Sequence, residues 1–293
     1  MSDFWIILIG ALVACSCSLV GCFLVLRKMS MIGDAISHSV LPGIVIAFLM
    51  SGSRDSLVMM MGAAAIGLLT VLLIQMFHHS GVQSDASIGV VFTALFALGI
   101  VLISVSAGQV DLDLDCVLYG EIAYAPWNTL TAFGIDIGPK AVWAVGSVFL
   151  ISLTVIGLFY KQFKLCAFDP AMAAAVGIPA LLFHYLLMSL VSLTTVASFE
   201  SVGAILVVGM LIIPAATAWL LAEKLSIMIG ISMILSILSA VTGYYSAYLF
   251  DASIAGAMIV VAGVFFLITL LVSPSHGLVI RALKRRKTAA QVS

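Results

Sequence analysis

Long apolar runs separated by short polar interruptions dominate this chain. They cover about 4–26, 36–51, 57–77, 87–107, 139–160, 180–198, 201–221, 226–249 and 254–272. A helix rises about 1.5 Å per residue, so about 20 apolar residues cross a hydrocarbon core about 30 Å thick. The pattern therefore predicts an all-α fold, a polytopic transmembrane helical bundle of eight or nine spans. The second run is short and carries Pro42 and Gly43, which predicts a broken or tilted helix. The sixth and seventh runs meet with almost no loop at Ser198–Ser201, which demands a tight turn or a kink. The first run is long enough to span and no basic stretch precedes it, so it reads as a span rather than a secretory signal.

Two segments fit neither a span nor an ordinary loop. Val110–Tyr124 alternates acidic and apolar residues at its start and is too polar to cross, so it is expected as a short helix or strand at the outer surface. Phe168–Pro179 offers Asp169 as an N-cap, Pro170 as a first helical residue and an Ala-rich body. Gly177 and Pro179 stand where such a helix should stop. This predicts a short helix in a loop, with small residues that let another protein approach closely.

Composition sharpens the picture. Of 293 residues, 63% are hydrophobic and 9% charged, against about 25% charged in a soluble domain. Residues 1–293 read as a single transmembrane domain with no room for a soluble module, ending in a basic tail at 281–293. Cys15, Cys17, Cys22, Cys116 and Cys166 form no metal-type pair and read as small packing residues. The 14 Met residues read the same way, because no clustered pairs suggest a thioether site. Nothing in the charge pattern calls for a nucleic acid, and lipid is the expected surrounding.

Charge distribution orients the bundle. With the C-terminal Arg281, Lys284, Arg285, Arg286 and Lys287 in the cytoplasm, alternation over nine spans also puts Arg27, Lys28, Lys161, Lys164 and Lys224 there. Only Arg54 and Lys140 fall outside, as the positive-inside rule asks. Asp3, Asp55, Asp111, Asp113, Asp115, Glu121, Asp136 and Asp251 then face outward. Such an acidic face concentrates cations or docks a partner protein. Acids also contribute little to topology and are simply tolerated in outer loops.

Asp34 and His38 are the first candidates for chemistry. Four residues apart, they share one helix face. A carboxylate oxygen and an imidazole nitrogen suit a divalent transition metal. An acid in a span costs about 2.5–3.5 kcal/mol on insertion scales. The bland alternative makes Asp34 an N-cap and His38 a packed side chain. Two ligands are an incomplete site, so others must come from elsewhere. Glu200 lies between two apolar runs and is either a ligand or a water-exposed turn residue. Asp113 and Asp115, with Asp111, gather on one face of an extended strand or form a solvated acidic loop. His78, His79, His184 and His276 receive no ligand role, and His184 is expected to pack inside its span. No Gly-x-x-x-x-Gly-Lys-Ser/Thr motif occurs, so ATP hydrolysis by the usual route would need a separate subunit.

Four segments carry a family resemblance: MSMIGDAISHSVLPG, DLDCVLYGEI, FDPAMAAAVGIP and VGAILVVGMLIIPAATAWLL. Their order and spacing resemble the manganese, zinc and iron permeases of bacterial ABC importers, over about residues 5–272. The resemblance implies a homodimer, or a heterodimer with a related subunit, having the pathway at or near the dimer interface. It implies two cytoplasmic ATPase subunits, an extracytoplasmic metal-binding protein and a multi-pass place in the bacterial inner membrane with a cytoplasmic C-terminus. Phe168–Gly177, with Phe168, Asp169, Pro170, Ala173 and Gly177, would be the coupling helix that fits a groove on the ATPase. Asp34 and His38 match the family's intramembrane Asp and His, which line the metal path. The text after His38, with Pro42, looks more like the manganese and iron members than the zinc members. No permanently bound cofactor is expected, only a transported divalent metal: manganese, with zinc or ferrous iron as alternatives. Alternating access would follow ATPase closure. The rivals are a gradient-driven secondary transporter and, more remotely, a membrane enzyme with an Asp/His pair.

Overall fold

The computed structural model describes residues 2–52, 56–106, 122–132 and 135–273. Among them nine helical segments are long and apolar enough to cross a membrane. The helices are α1 (Ser2–Leu26), α2 (Met31–Ser39), α3 (Leu41–Ser51), α4 (Ser56–His79), α5 (Ser84–Ser106), α6 (Lys140–Leu158), α7 (Tyr160–Phe168), α8 (Pro170–Ala175), α9 (Ala180–Val202), α10 (Ala204–Leu221), α11 (Leu225–Phe250) and α12 (Ile254–Val272). A 3-10 turn at Ala125–Trp127 leads into a two-stranded antiparallel hairpin, β1 (Thr129–Ala132) and β2 (Ile135–Pro139). Its four- and five-residue strands gave no apolar alternation strong enough to read in advance.

Hydrocarbon offers backbone groups no partner, so each span closes its own hydrogen bonds. Lipid is as apolar as leucine, so helices must associate through close packing. The result is graded burial. The α1 span is 78% buried and packs on α6, α9, α10 and α11, while the α5 and α12 spans are only 17% buried. α3 and α4 approach each other closely. A methyl group on Gly43 would collide with the Gly62 carbonyl, and one on Gly62 with that of Gly43. Buried hydroxyls mostly bond back to their own helix, as Ser16 does to the Leu12 carbonyl at 2.8 Å. Between helices, Ser39 on α2 and Thr70 on α4 share a buried hydrogen bond of 2.7 Å.

Two boundaries differ from the sequence reading. The second span begins at Met31 rather than Ile36, because α2 is helical through Gly33, Asp34, Ser37 and His38. Five of its nine residues carry little hydrophobicity, and packing on α4, α5, α9 and α10 makes the helix rather than an apolar count. The sixth span runs on to Val202, so the sharp turn falls at Gly203, whose φ of 82° is left-handed, and not at Ser198–Ser201. The expected break in the second span is present at Val40. The missing amide of Pro42 leaves the His38 carbonyl without its i+4 donor there.

The Gly43–Gly62 contact yields a direct test. Gly62→Leu should force α3 and α4 apart and lower the thermal unfolding midpoint of the purified permease by at least several degrees. An exposed change such as Gly157→Leu, with open space around it, should leave that midpoint in place.

Candidate metal centre

Asp34 does not cap a helix. It lies in the first turn of α2, whose N-cap position is Ser30, so the bland N-cap reading does not hold. Its Oδ1 is 3.6 Å from Nε2 of His38, one turn along, and both side chains are about one-third exposed, at 34% and 31%. A single ion about 2.1–2.2 Å from both atoms would see them at an angle of about 115°, within the range first-row divalent metals accept. The imidazole is wedged between two rings of α5, with Phe92 at 6.1 Å and Phe96 at 5.9 Å between centroids. Those rings fix the orientation of His38. The sequence reading passed over them, although two aromatics four residues apart on an apolar helix signal one face.

The depth of the pair follows from its neighbours. Phe92 and Phe96 stand eight and twelve residues into α5, about 12–18 Å from its end. Gly33 faces the Leu211 side chain, which a Cβ there would meet at 3.1 Å. Leu211 is ten residues from the end of α10, about 15 Å. Thr70, the partner of Ser39, is nine residues from the end of α4, about 14 Å. The pair therefore lies near mid-span. Its apparent proximity to Arg27 and Lys28 in sequence is misleading, because Met29–Gly33 already climbs into the bundle.

The other candidates lie apart. Glu200 is exposed in the last turn of α9 and lines a small cavity of about 80 Å³ with Asn128, Lys140 and Ser201. Ser192, which meets Gly67 beside Ile36, is eight residues earlier on α9. Glu200 thus stands about 12 Å further along the helix than the level of α2. Asp111, Asp113 and Asp115 lie outside the described residues, as do His276 and the basic tail. Among the described residues no group of three or more His, Cys, Asp or Glu side chains gathers to hold a metal. His184 is buried as expected, but it also makes a polar contact. Its Nε2 donates to Gln75 Oε1 at 2.9 Å, and Gln75 Nε2 donates to His79 Nε2 at 3.2 Å, the tautomers following from that chain.

The short loop helix forms as its residues require. α8 runs Pro170–Ala175, and the Met172 amide donates to Asp169 Oδ1 at 2.9 Å. Gly177, at φ 83°, lets the Ile178 amide reach the Ala173 carbonyl at 2.9 Å and closes the helix. Ala173 is fully buried and anchors one face, while Met172 and Val176 are more than half exposed. Phe168 ends the preceding helix α7 instead of opening this one, and it too is exposed. The result is a rigid apolar knob.

The chain matches the ABC 3 transport family over residues 3–273. It is 54% identical over 280 residues to the manganese transport system membrane protein MntD of Bacillus subtilis, covering 96% of this chain and 95% of that one. It is 42% identical to the zinc transport system membrane protein TroD of Treponema pallidum, covering 96% and 77%. Among solved structures it resembles PsaBC from Streptococcus pneumoniae in complex with Fab, with a TM-score of 0.79, 34% identity and coverage of 96% and 94%. The chain belongs to the ABC 3 transport family and is an ABC importer permease, a multi-pass membrane protein.

Asp169→Ala removes the only side-chain cap of α8, worth about 1 kcal/mol. Hydrogen exchange at the Met172 amide should then speed up about fivefold, with exchange in α9 unchanged.

Proposed function

We propose that this member of the ABC 3 transport family is the membrane permease subunit of an ATP-driven importer of divalent transition-metal ions, with manganese as its main cargo. The observation that carries the reading is the mid-span Asp34–His38 pair: one oxygen and one nitrogen ligand, set 3.6 Å apart where an uncompensated acid would be costly. Manganese is favoured because the relative at 54% identity is a manganese transport protein, whereas the zinc transport relative stands at 42%. Zinc and ferrous iron remain chemically acceptable to the same ligands.

Two ligands leave an ion under-coordinated, and the pair is one-third exposed. A second permease copy facing it would double the set to two carboxylates and two imidazoles. That set is weak enough to release the ion if it persists only while the two faces meet. Glu200, with Asp113 and Asp115, belongs on the outer side, where an extracytoplasmic binding protein would hand over the metal. Arg27 and Lys28 follow α1, Lys161 and Lys164 lie in α7 and Lys224 follows α10, and the positive-inside rule supports a cytoplasmic position for these ends together with the C-terminus. α8 lies at the same end. The exposed Phe168 just before it, with Met172 and Val176, suits an apolar groove on a separate ATPase subunit that would supply the hydrolysis. A gradient-driven carrier would have no use for such a knob.

Substitution at the pair tests this. Asp34→Asn and His38→Ala should each cut manganese-54 uptake by cells at least tenfold at matched membrane expression, while ATPase docking is retained. Normal uptake by both variants would overturn the metal assignment. Equal competition of that uptake by zinc and manganese would overturn the preference but leave the site.

A further inference from the structure

At the end of the bundle where α1 stops, a cavity of about 480 Å³ is lined by Arg27, Lys28, Gln75, His78, Ser84 and His184, with Met29, Ile74, Ala180 and Leu181 at its apolar wall. Arg27 is half-buried and Lys28 exposed. Two helices begin at its edge, the 23-residue α5 at Ser84 and the 23-residue α9 at Ala180, so two positive dipole ends add to two fixed cations. Asp85 stands beside Ser84 but does not line the space, and no acidic side chain is among the lining residues. A divalent cation is repelled from such a place, and an anion is held.

The apolar wall identifies which anion. Leu181 on α9 is more than half exposed, as is Met76 next to the lining residue Gln75, and α4 and α5 are among the least buried spans. No residue of α7 or α8 lines the cavity, so its lining is separate from the knob assigned to the ATPase. A charged head beside hydrocarbon-facing walls is the form of a phospholipid. We infer that this cavity binds the phosphate head group of an acidic phospholipid of the inner leaflet, through Arg27 and Lys28 with His78 and Gln75 at the rim.

The backbone supports a dedicated role for Lys28. α1 ends in a Schellman motif: the Met29 amide donates to the Leu24 carbonyl at 2.9 Å and the Lys28 amide to Val25 at 3.1 Å. The left-handed position of that motif, φ 57°, normally belongs to glycine and is occupied here by lysine. A side chain kept at a position that disfavours side chains points to work for its ammonium. Burial also pulls the Arg27 guanidinium below its usual range, a shift that a bound anion would oppose.

Lys28→Gly makes a clean test, because it removes the charge and relieves the backbone together. The full-length permease would be purified in detergent and exchanged with dioleoylphosphatidylglycerol or dioleoylphosphatidylcholine, and retained lipid counted by native mass spectrometry. Phosphatidylglycerol retention should fall about fivefold in Lys28→Gly and again in Arg27→Gln, the factor equal to about 1 kcal/mol per cation. Phosphatidylcholine retention should not change, and Lys140→Gln at the other end should behave as the parent. Equal phosphatidylglycerol retention in Lys28→Gly and the parent would overturn the proposal, as would its displacement by millimolar inorganic phosphate, which would mark a free-anion site instead. Metal uptake is not the readout, so the outcome is independent of the identity of the cargo.

Discussion

A backbone in hydrocarbon must satisfy its own hydrogen bonds, and nearly every choice in this chain follows from that demand. It makes each span a helix and confines departures from helicity to places walled by protein. The largest mid-span departure is at Val40, where α2 gives way to α3 and Pro42 withholds an amide from the His38 carbonyl. The break is tolerated because α4 and α5 enclose it. The same enclosure lets an acid and an imidazole sit near mid-span. The break and the Asp34–His38 pair are therefore one feature, not two.

Much of this was legible in the residues. Runs of about 20 apolar positions gave nine spans, and Asp169, Pro170 and Gly177 gave the loop helix nearly to the residue. The loop helix could be read because capping and termination are local events that need no distant partner. Asp34 and His38 could be named from spacing alone, but their depth could not. An apolar count starts the second span at Ile36, whereas the helix starts at Met31 because neighbouring helices supply the packing that its polar residues do not. Glu200 was left between a ligand and a water-exposed turn residue; it is exposed, but Phe199 and Val202 carry α9 past it, so it stands in a last helical turn. Phe92 and Phe96 were hidden among sixteen phenylalanines, and only three-dimensional proximity to His38 distinguishes them.

The ends of the bundle divide the labour. One carries the half-buried Arg27, the strained Lys28 and the apolar knob of α8, all suited to lipid and a soluble subunit. The other carries Glu200, Lys140 and the small hairpin, with Tyr124 and Trp127 exposed beside it. The Asp34–His38 pair lies between them.

The split second span also acts as a mechanical joint. Its upper piece, α3, is keyed into α4 through Gly43 and Gly62, while its lower piece, α2, grips α5 through the ring of His38. Ser39 also ties α2 to α4 through Thr70, so both pieces of the span feel α4. Asp34 and His38 ride together on the lower piece, on one side of Val40. Bending at that joint would therefore carry the pair as a unit, with its 3.6 Å spacing kept by the single helix that holds both.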